Sequence, residues 1–369
     1  MLRFIDNQQT MLREAMTPES SAAYRLHTCV WEITRACNFS CAHCGSSAGR
    51  VREGELSANE VLDVADQLVD LWCKRVILIG GEVFMRPDWD VIARRLAEGG
   101  IQTSLITNGS CFNEFLWRRV ADVGIGYIAV SIDGNEAHHD ALRMPGSYRL
   151  GMEALAEAHR RGLTTAAITV LNAENASDLP ELYDVLSAIP VDAWQVQLCS
   201  PFGNARHESG LVPSIEQAAA AVDFIARQNR AVFAQAAGSR GLRTFVADNI
   251  GYHTRDEGVI RGYPGAHFQG CSAGISIIGI DSVGNVRGCE SLYDEAFNEG
   301  NLRERSLRSI WESPDAFAYN RKFNRDMLSG ACERCRYGAY CAGGCRSLNH
   351  FLAGNMYEAP RCLRAHILR

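Results

Sequence analysis

Apolar runs of strand length alternate with amphipathic stretches of helical period through the first two hundred residues. The strand-like runs cover residues 29–34, 75–79, 101–106, 127–132, 164–170 and 193–198. Between them, apolar spacing predicts helices over residues 58–72, 89–98, 112–122, 147–161 and 178–187, the first opening at a Ser57-x-x-Glu60 capping box. Strands alternating with helices predict a parallel sheet with crossover helices. We therefore predict an α/β fold, a partial (β/α)6 TIM-like barrel.

Composition narrows the class of protein. The chain has 369 residues, of which 47% are apolar and 22% charged, a balance typical of globular proteins. No apolar run approaches the ~18 residues that a membrane-spanning helix needs, so we expect no membrane partner. The net charge is −6 without a block of Lys and Arg, which argues against nucleic acid as a partner. The first 21 residues lack the apolar core of a secretion signal, and we expect a cytoplasmic protein.

Fourteen cysteines are the unusual feature of this composition. In a chain without a secretion signal they indicate metal binding or catalysis rather than disulfides. Cys37, Cys41 and Cys44 form a C-x3-C-x2-C spacing on a loop that follows the first predicted strand. Three thiols are too few for a closed zinc site, which takes four ligands. On a four-iron cluster, three thiolates leave one iron open to a substrate or cofactor.

This triplet resembles the characteristic motif of the radical S-adenosylmethionine (SAM) superfamily, and other positions fit the resemblance. The second strand runs into a Gly-Gly-Glu sequence, similar to the family motif that holds the methionine amino group. The third strand ends at Thr107-Asn108-Gly109, and the fourth is followed by the positions at which the family contacts the ribose. The resemblance thus implies SAM-binding roles for Gly80, Gly81, Glu82, Asn108, Ser131 and Asp133.

The predicted cofactor residues all fall at the carboxyl ends of predicted strands, where barrels place their ligand sites. Asp-Gly is also a turn dipeptide, so a simple turn is the alternative interpretation of Ser131 and Asp133. Arg143 and His139 follow the fourth strand and either neutralise a carboxylate or are solvated helix residues. We include Arg143 among the cofactor contacts. Asn172, just past the fifth strand, has the same two interpretations.

A second set of seven cysteines lies near the C-terminal end. Residues 275–288 are rich in β-branched residues, and Gly284 permits a turn, so they predict a β-hairpin that brings its flanking cysteines together. The C-x2-C-x5-C-x3-C run at 332–345 alone is consistent with a zinc knuckle. Seven is not a multiple of four, so zinc is a poorer explanation of the whole set. The set consists of Cys271, Cys289, Cys332, Cys335, Cys341, Cys345 and Cys362.

These cysteines and Gly284 resemble the SPASM extension of one branch of the superfamily, where it holds two auxiliary four-iron clusters. The resemblance implies a distal cluster on Cys332, Cys335, Cys341 and Cys362, and a proximal cluster on Cys271, Cys289 and Cys345. Three [4Fe-4S] clusters and SAM are therefore the expected cofactors. Some members carry an eighth cysteine before the first, and residues 262–270 contain none. The fourth ligand of the proximal cluster is then an open position, His267 or the substrate.

The resemblance covers about residues 27–365 and gives a domain division. We expect an N-terminal lead-in over 1–26, a radical SAM partial barrel over 27–235, a linker over 236–265 and a C-terminal iron–sulfur SPASM extension over 266–369.

The implied activity is reductive cleavage of SAM to a 5′-deoxyadenosyl radical that abstracts hydrogen from a substrate, with an electron donor such as flavodoxin or ferredoxin. Glu290 directly follows Cys289, and an acid at this place acts as a base in sulfatase-maturing relatives, so Glu290 is the candidate catalytic base. The alternative is a solvated acid at the end of the hairpin.

The SPASM branch mostly modifies peptides. We therefore predict a maturase that crosslinks, oxidises or epimerises a ribosomally made peptide, met directly or through a separate recognition protein. One alternative is oxidation of a small molecule or tetrapyrrole side chain. The other is a metal-binding scaffold without turnover.

Overall fold

A computed structural model describes residues 24–235, 241–262 and 265–367 of the chain. Within these residues, ten strands form one sheet in the order β10-β9-β8-β1-β2-β3-β4-β5-β6-β7. The strands are β1 Thr28–Thr34, β2 Arg75–Gly80, β3 Gln102–Thr107, β4 Tyr127–Ser131, β5 Thr164–Leu171, β6 Ala193–Leu198, β7 Arg243–Val246, β8 Ile277–Ile280, β9 Asn285–Arg287 and β10 Gly300–Asn301. Most of the predicted N-terminal lead-in, up to residue 23, lies outside the described residues.

The first six strands pair in chain order and in parallel, and helices connect them. The α/β class and the parallel barrel sheet predicted from the sequence are therefore confirmed. The Ser57 capping box is present as predicted. The helices are α1 Ala58–Asp70, α2 Trp89–Glu98, α3 Glu114–Asp122, α4 Glu136–Leu142, α5 Ser147–Arg160, α6 Leu179–Ala188, α7 Ile215–Ala234, α8 Glu257–Ile260, α9 Leu307–Trp311, α10 Ala318–Arg321, α11 Gly330–Glu333, α12 Gly338–Cys341, α13 Arg346–Ala353 and α14 Leu363–Ile367.

Two further parallel strands extend the predicted six-stranded sheet. β7 lies within the segment predicted as a linker and pairs in parallel with β6. β8 is the first strand of the predicted hairpin and pairs antiparallel with β9, but it also pairs in parallel with β1, with Thr28 opposite Ile277. The C-terminal region therefore contributes a strand to the barrel sheet itself.

Alternate residues of each strand face the helices or the interior of the barrel. The helix-facing side carries large buried residues such as Trp31, Leu105 and Trp194. The interior carries smaller ones, including Ala129 and Ala166. They leave a cavity of about 640 Å³, whose lining includes the first residues of β1 to β6. Among the described residues, no helix combines the length and apolar character required to span a bilayer.

Candidate functional site

The loop that carries Cys37, Cys41 and Cys44 begins where β1 ends, and several backbone contacts hold it in place. The Glu55 carboxylate accepts a hydrogen bond from the Arg35 backbone N–H at 2.7 Å. The side chain of Asn204, beyond β6, donates to the carbonyl oxygen of Cys41 at 2.8 Å. All three cysteines are free thiols and electrostatic neighbours of one another. The fold therefore brings together the predicted triplet on one anchored loop.

The thiols of this triplet are suited to ligation rather than to free reactivity. Burial raises the pKa of both Cys37 and Cys41 to about 11, so in the free protein they remain protonated at neutral pH. Metal ligation requires the thiolate and displaces that proton. The Arg143 guanidinium lies near Cys41 and favours its thiolate.

Gly80 and Gly81 occupy the end of β2, which passes directly against the start of the cysteine loop. Gly81 donates its backbone N–H to the Thr34 carbonyl oxygen at 2.9 Å. A Cβ at Gly81 would collide with the Ala36 carbonyl oxygen and lie 2.6 Å from that of Arg35. A Cβ at Gly80 would lie 2.6 Å from the Thr34 carbonyl oxygen. Both glycines are therefore required for this close backbone packing.

Glu82 connects this junction to the end of β3. Its carboxylate is fully buried and accepts hydrogen bonds from the Thr107 hydroxyl and the Asn108 backbone N–H, each at 2.7 Å. Burial raises its pKa to about 7. The Asn108 side chain donates to Asn38 at 3.0 Å and lies 4.0 Å from the Cys37 sulfur. The ends of β2 and β3 and the cysteine loop thus form one hydrogen-bonded unit.

Asp133 is completely buried, and protein groups engage both of its carboxylate oxygens. Oδ2 lies 3.0 Å from His43 Nε2 and 2.6 Å from Arg143 Nε. Oδ1 accepts a hydrogen bond from the Val170 backbone N–H at 2.7 Å. Burial alone would raise the pKa of Asp133, but Arg143 and His43 hold it well below its usual range. In this arrangement Asp133 connects β4, β5 and the cysteine loop, and the ribose contact that the resemblance implies stays a prediction.

Their contacts also decide between the two interpretations that the sequence left open for the other residues after the fourth and fifth strands. Arg143 and His139 are not solvated helix residues: Arg143 pairs with Asp133, and the fully buried His139 ring accepts the Asp133 backbone N–H at 2.9 Å. Asn172 is buried and accepts backbone hydrogen bonds within its own turn. Ser131 is half-buried at the end of β4, paired in register with Ile168.

Sequence reasoning missed His43. This residue lies inside the C-x2-C segment, and its ring is buried against Asp133. The available signal in the sequence was the position of His43 between two predicted ligands, Cys41 and Cys44.

The C-terminal cysteines fall into two spatial groups. Burial, and then neighbouring thiols of the same group, raise the pKa of Cys289 and Cys345 in one group and of Cys341 and Cys362 in the other. The proximal cysteine group is Cys271, Cys289 and Cys345. The distal cysteine group, which lines a small recess, is Cys332, Cys335, Cys341 and Cys362. The structure thus brings the cysteines together in the same two sets that motif order suggested.

The donor chemistry of these groups fits iron–sulfur clusters better than zinc. A zinc ion needs its ligands to converge on one point. Across the described residues, no three His, Cys, Asp or Glu side chains converge in this way. The thiolates of a four-iron cluster each bind a different iron, so they can lie further apart. Burial raises the pKa of Cys289 to about 12, which is consistent with a thiol whose deprotonated form requires a ligand.

His267, considered as the fourth proximal ligand, lines the barrel cavity, where its Nδ1 lies 3.5 Å from a Glu257 carboxylate oxygen. Tyr319 is instead the neighbour of the proximal cysteine group, with its buried hydroxyl near Cys271 and Cys289. Tyr319 is therefore a further non-cysteine side chain at this group, and the ligand role of His267 stays a prediction.

Glu290 is buried rather than solvated at the hairpin end, and it packs against Gly279 of β8. Burial, and then the neighbouring Glu32, hold its pKa well above the usual value. Among the described residues, neither carboxylate oxygen makes a hydrogen bond of good geometry. The adjacent Tyr293 hydroxyl donates to Glu32 at 2.5 Å. Glu290 is therefore a buried acid beside the Tyr293 hydroxyl, which it shares with Glu32.

Two family models match the chain. The model of the Radical SAM superfamily matches residues 31–186, which include the cysteine loop and the ends of β2, β3 and β4. The model of an iron–sulfur cluster-binding domain, SPASM, matches residues 271–336, which include Cys271, Cys289 and the start of the distal cysteine group.

Curated relatives match most of the chain. An AdoMet-dependent heme synthase of Methanosarcina barkeri is 28% identical over 90% of this chain and 95% of its own length. The mycofactocin maturase MftC of Mycobacterium tuberculosis is 28% identical over 91% of this chain and 82% of its own.

Solved structures share the fold. SuiB of Streptococcus suis, bound to S-adenosylmethionine, aligns with a TM-score of 0.73 at 16% identity, over 92% of this chain and 77% of that one. The protein anSMEcpe with bound AdoMet aligns with a TM-score of 0.71 at 14% identity, over 92% of this chain and 95% of that one.

Proposed function

The chain belongs to the radical SAM superfamily, in its SPASM-containing branch, and is an enzyme; we propose that it abstracts hydrogen from a ribosomally made peptide. When bound, the first cluster and SAM supply reductive cleavage to methionine and a 5′-deoxyadenosyl radical, and a flavodoxin or ferredoxin supplies the electron. The observation that carries this proposal is the junction of the cysteine loop with the buried ends of β2 and β3 through Glu82 and Asn108. That junction lies at the carboxyl ends of parallel strands, where barrels bind ligands.

In this proposal, the residues around the cysteine loop hold SAM. Cys37, Cys41 and Cys44 would hold the first cluster, which would supply the open iron that binds SAM. The backbone at Gly80 and Gly81 would receive the methionine amino group, and Glu82 would hold that backbone in place through Thr107 and Asn108. Asn108, Ser131 and Arg143 would complete the contacts. Asp133 acts through His43 and Arg143, because its own oxygens are already engaged.

We also propose two auxiliary clusters, which gives three in total. The distal cysteine group supplies four thiolates, which suffice for a four-iron cluster. The proximal cysteine group supplies three, with Tyr319 beside them. Either cluster can accept the electron left on a substrate radical or hold the substrate.

The peptide proposal is supported by the similarity to MftC, a maturase that matches 91% of this chain. A second candidate is a tetrapyrrole or other small molecule. It is supported by the similarity to heme synthases and by the cavity of about 640 Å³ inside the barrel, a size typical of small-molecule sites. The lining of this cavity includes the first residues of β1 to β6 and none of the proposed SAM contacts, so the support it gives is that of its size.

Glu290 is the proposed acceptor of the substrate proton. Its carboxylate is buried beside the Tyr293 hydroxyl, which it shares with Glu32. Replacing Glu290 with Gln keeps the shape and removes the proton acceptor. We expect Glu290→Gln to produce 5′-deoxyadenosine but to form product at least tenfold more slowly; an unchanged rate of product formation would remove Glu290 from the mechanism.

The activity is tested by anaerobic reconstitution with iron and sulfide, followed by incubation with SAM and dithionite. We expect about twelve irons per chain and 5′-deoxyadenosine as a product. Cys41→Ala is the matched control, which should lose the first cluster and the product but keep the auxiliary iron. Absence of 5′-deoxyadenosine from the fully loaded chain would favour the scaffold alternative.

The substrate class is tested by co-expression with any short open reading frame beside the gene, and in parallel by incubation with coproporphyrin substrates. A mass change in the peptide that depends on Cys41 supports the maturase. A decarboxylated or oxidised tetrapyrrole with an unchanged peptide supports the second candidate.

A further inference from the structure

Arg346 is a fully buried cation at the start of α13, directly after Cys345. Its Nε donates to the Asn320 side-chain oxygen at 2.8 Å, and its Nη1 donates to the carbonyl oxygens of Met356, at 2.9 Å, and Ala342. Its Nη2 has no hydrogen-bond partner among the described residues. All three acceptors are neutral, so the protein contacts solvate the guanidinium without neutralising it.

The groups around Arg346 that can carry negative charge are mainly thiols. They are Cys271 and Cys345 of the proximal cysteine group, Cys341 of the distal cysteine group, and the Tyr357 phenol. In the described part of the chain, no carboxylate lies within ion-pair distance of Arg346. A buried charge without a counter-charge is strongly unfavourable, and arginine stays protonated in proteins. We therefore expect the negative charge that neutralises Arg346 to come from the cysteine thiolates together with the anionic cluster that they bind.

The Tyr319 hydroxyl is a second buried donor, and Tyr319 packs in the same cluster as Cys271 and Cys289. Its hydroxyl packs against the backbone of Gly288, where an added Cβ would collide with it. Asn320, which directly follows Tyr319 and accepts the hydrogen bond from Arg346 Nε, donates its side-chain N–H to the Cys271 carbonyl oxygen at 3.2 Å. The hydroxyl makes no hydrogen bond of good geometry within the described residues. Two unsatisfied donors, from α10 and α13, thus lie beside one thiol.

We infer that Arg346, assisted by Tyr319, is the counter-charge of the auxiliary cluster on the proximal cysteine group and raises its reduction potential. Reduction adds one negative charge to a cluster, and a fixed cation nearby stabilises the reduced form more than the oxidised form. Hydrogen bonds to cluster sulfur act in the same direction. This inference rests on the proposed auxiliary clusters. It assigns Arg346 and Tyr319 as positioning and tuning residues, distinct from the ligands.

The test uses the full chain with Cys37→Ala, Cys41→Ala and Cys44→Ala, so that only auxiliary clusters remain. Iron and sulfide are counted after anaerobic reconstitution, and each midpoint potential is followed by EPR during dithionite titration. Cys289→Ser identifies the proximal signal, because it removes one of its ligands. We expect Arg346→Gln to move that midpoint to lower potential. Arg346→Lys, which keeps the charge, should restore most of the shift, and Tyr319→Phe should give a smaller shift in the same direction.

Arg86→Gln is the matched control. Arg86 is also buried and also donates to two backbone carbonyl oxygens, but its hydrogen-bond and ion-pair partners are Ile33, Leu56 and Asp88 of the barrel. It should leave both midpoints unchanged.

The inference is overturned if Arg346→Gln retains wild-type iron and both wild-type midpoints. Should Arg346→Gln lose iron, recovery of iron and potential in Arg346→Lys supports the inference. Loss of iron in both variants, with a wild-type midpoint in Tyr319→Phe, contradicts it. If the chain with intact Arg346 binds no auxiliary cluster, the proposed cluster count itself fails, and that failure is visible before any Arg346 variant is made.

Discussion

At the scale of single residues, the site depends on buried charged side chains that pair with one another within the protein. Asp133 is the clearest case, since it joins His43 of the cysteine loop to Arg143 after α4. The sequence indicated that an acid follows the fourth strand but not which way it faces. Its orientation depends on His43, Arg143 and Val170, which are distant in sequence or separated by a helix, so no local pattern could reveal it.

We expect Asp133→Asn to lower both the free energy of unfolding and the amount of iron that the first cluster retains. The substitution leaves the Arg143 guanidinium without its buried partner, and breaking such a pair costs about 3–5 kcal/mol. Urea unfolding of the iron-free chain should show this loss, and iron per chain after reconstitution should fall. Ser131→Ala is the control, expected to change stability by less than about 1 kcal/mol. An Asp133→Asn protein with normal stability and iron but weakened SAM binding would instead support direct contact with the ribose.

At the scale of elements, the positions of the strand ends are as important as the motifs that follow them. The six predicted strands and the hairpin were recoverable because their periodicities are strong and local. β7 has only four residues, and its partner β6 ends 45 residues earlier, so the sequence offered no local signal for it. The pairing of β8 with β1 was also missed, because it joins residues about 250 positions apart.

The junction between β2 and the cysteine loop makes a specific prediction for Gly81→Ala. The added Cβ would collide with the Ala36 carbonyl oxygen and force the two backbones apart. Overpacking of this kind costs about 1–3 kcal/mol, and we expect the first cluster to lose iron. Gly126→Ala is the matched control, because an added Cβ there meets no described atom within 4 Å. Equal iron content in the two variants, measured with the auxiliary clusters intact, would contradict the close-packing role.

Because β8 pairs with both β1 and β9, we expect truncation of a buried side chain within it to lower the free energy of unfolding substantially. Ile278 is fully buried and pairs with Cys29 of β1. Ile278→Ala should cost about 2–5 kcal/mol, measured by urea unfolding of the iron-free chain. Val283→Ala, in the turn that follows β8, should cost less than half as much, because Val283 is only partly buried. Similar losses from the two substitutions would show that β8 is not an integral strand of the barrel.

At the scale of the whole molecule, the barrel and the C-terminal region share one sheet and several polar contacts. Arg52, after the cysteine loop, pairs with Asp281 in the β8–β9 turn at 3.0 Å and with Glu32 of β1 at 3.1 Å. The Ser282 carbonyl oxygen accepts the Leu56 backbone N–H at 2.8 Å. The side chain of Gln67 in α1 accepts the backbone N–H of Leu307 in α9 at 2.6 Å. The proposed boundary at residue 266 therefore separates two sequence motifs, but it does not separate two independently packed domains.

This shared sheet predicts that the two regions unfold together. β8 is covered by the barrel on one edge and by β9 on the other, so melting the C-terminal region exposes the edge of β1. Thermal unfolding followed by far-UV circular dichroism and by tryptophan fluorescence should give one coincident transition. Removing the distal cysteine ligands by Cys332→Ala and Cys335→Ala should lower the midpoint of that whole transition in the iron-loaded chain, because bound clusters stabilise the folded state. Two separate transitions, with the barrel transition unchanged in the cysteine variants, would show instead that the iron-binding extension folds independently and that β8 contributes little to the barrel.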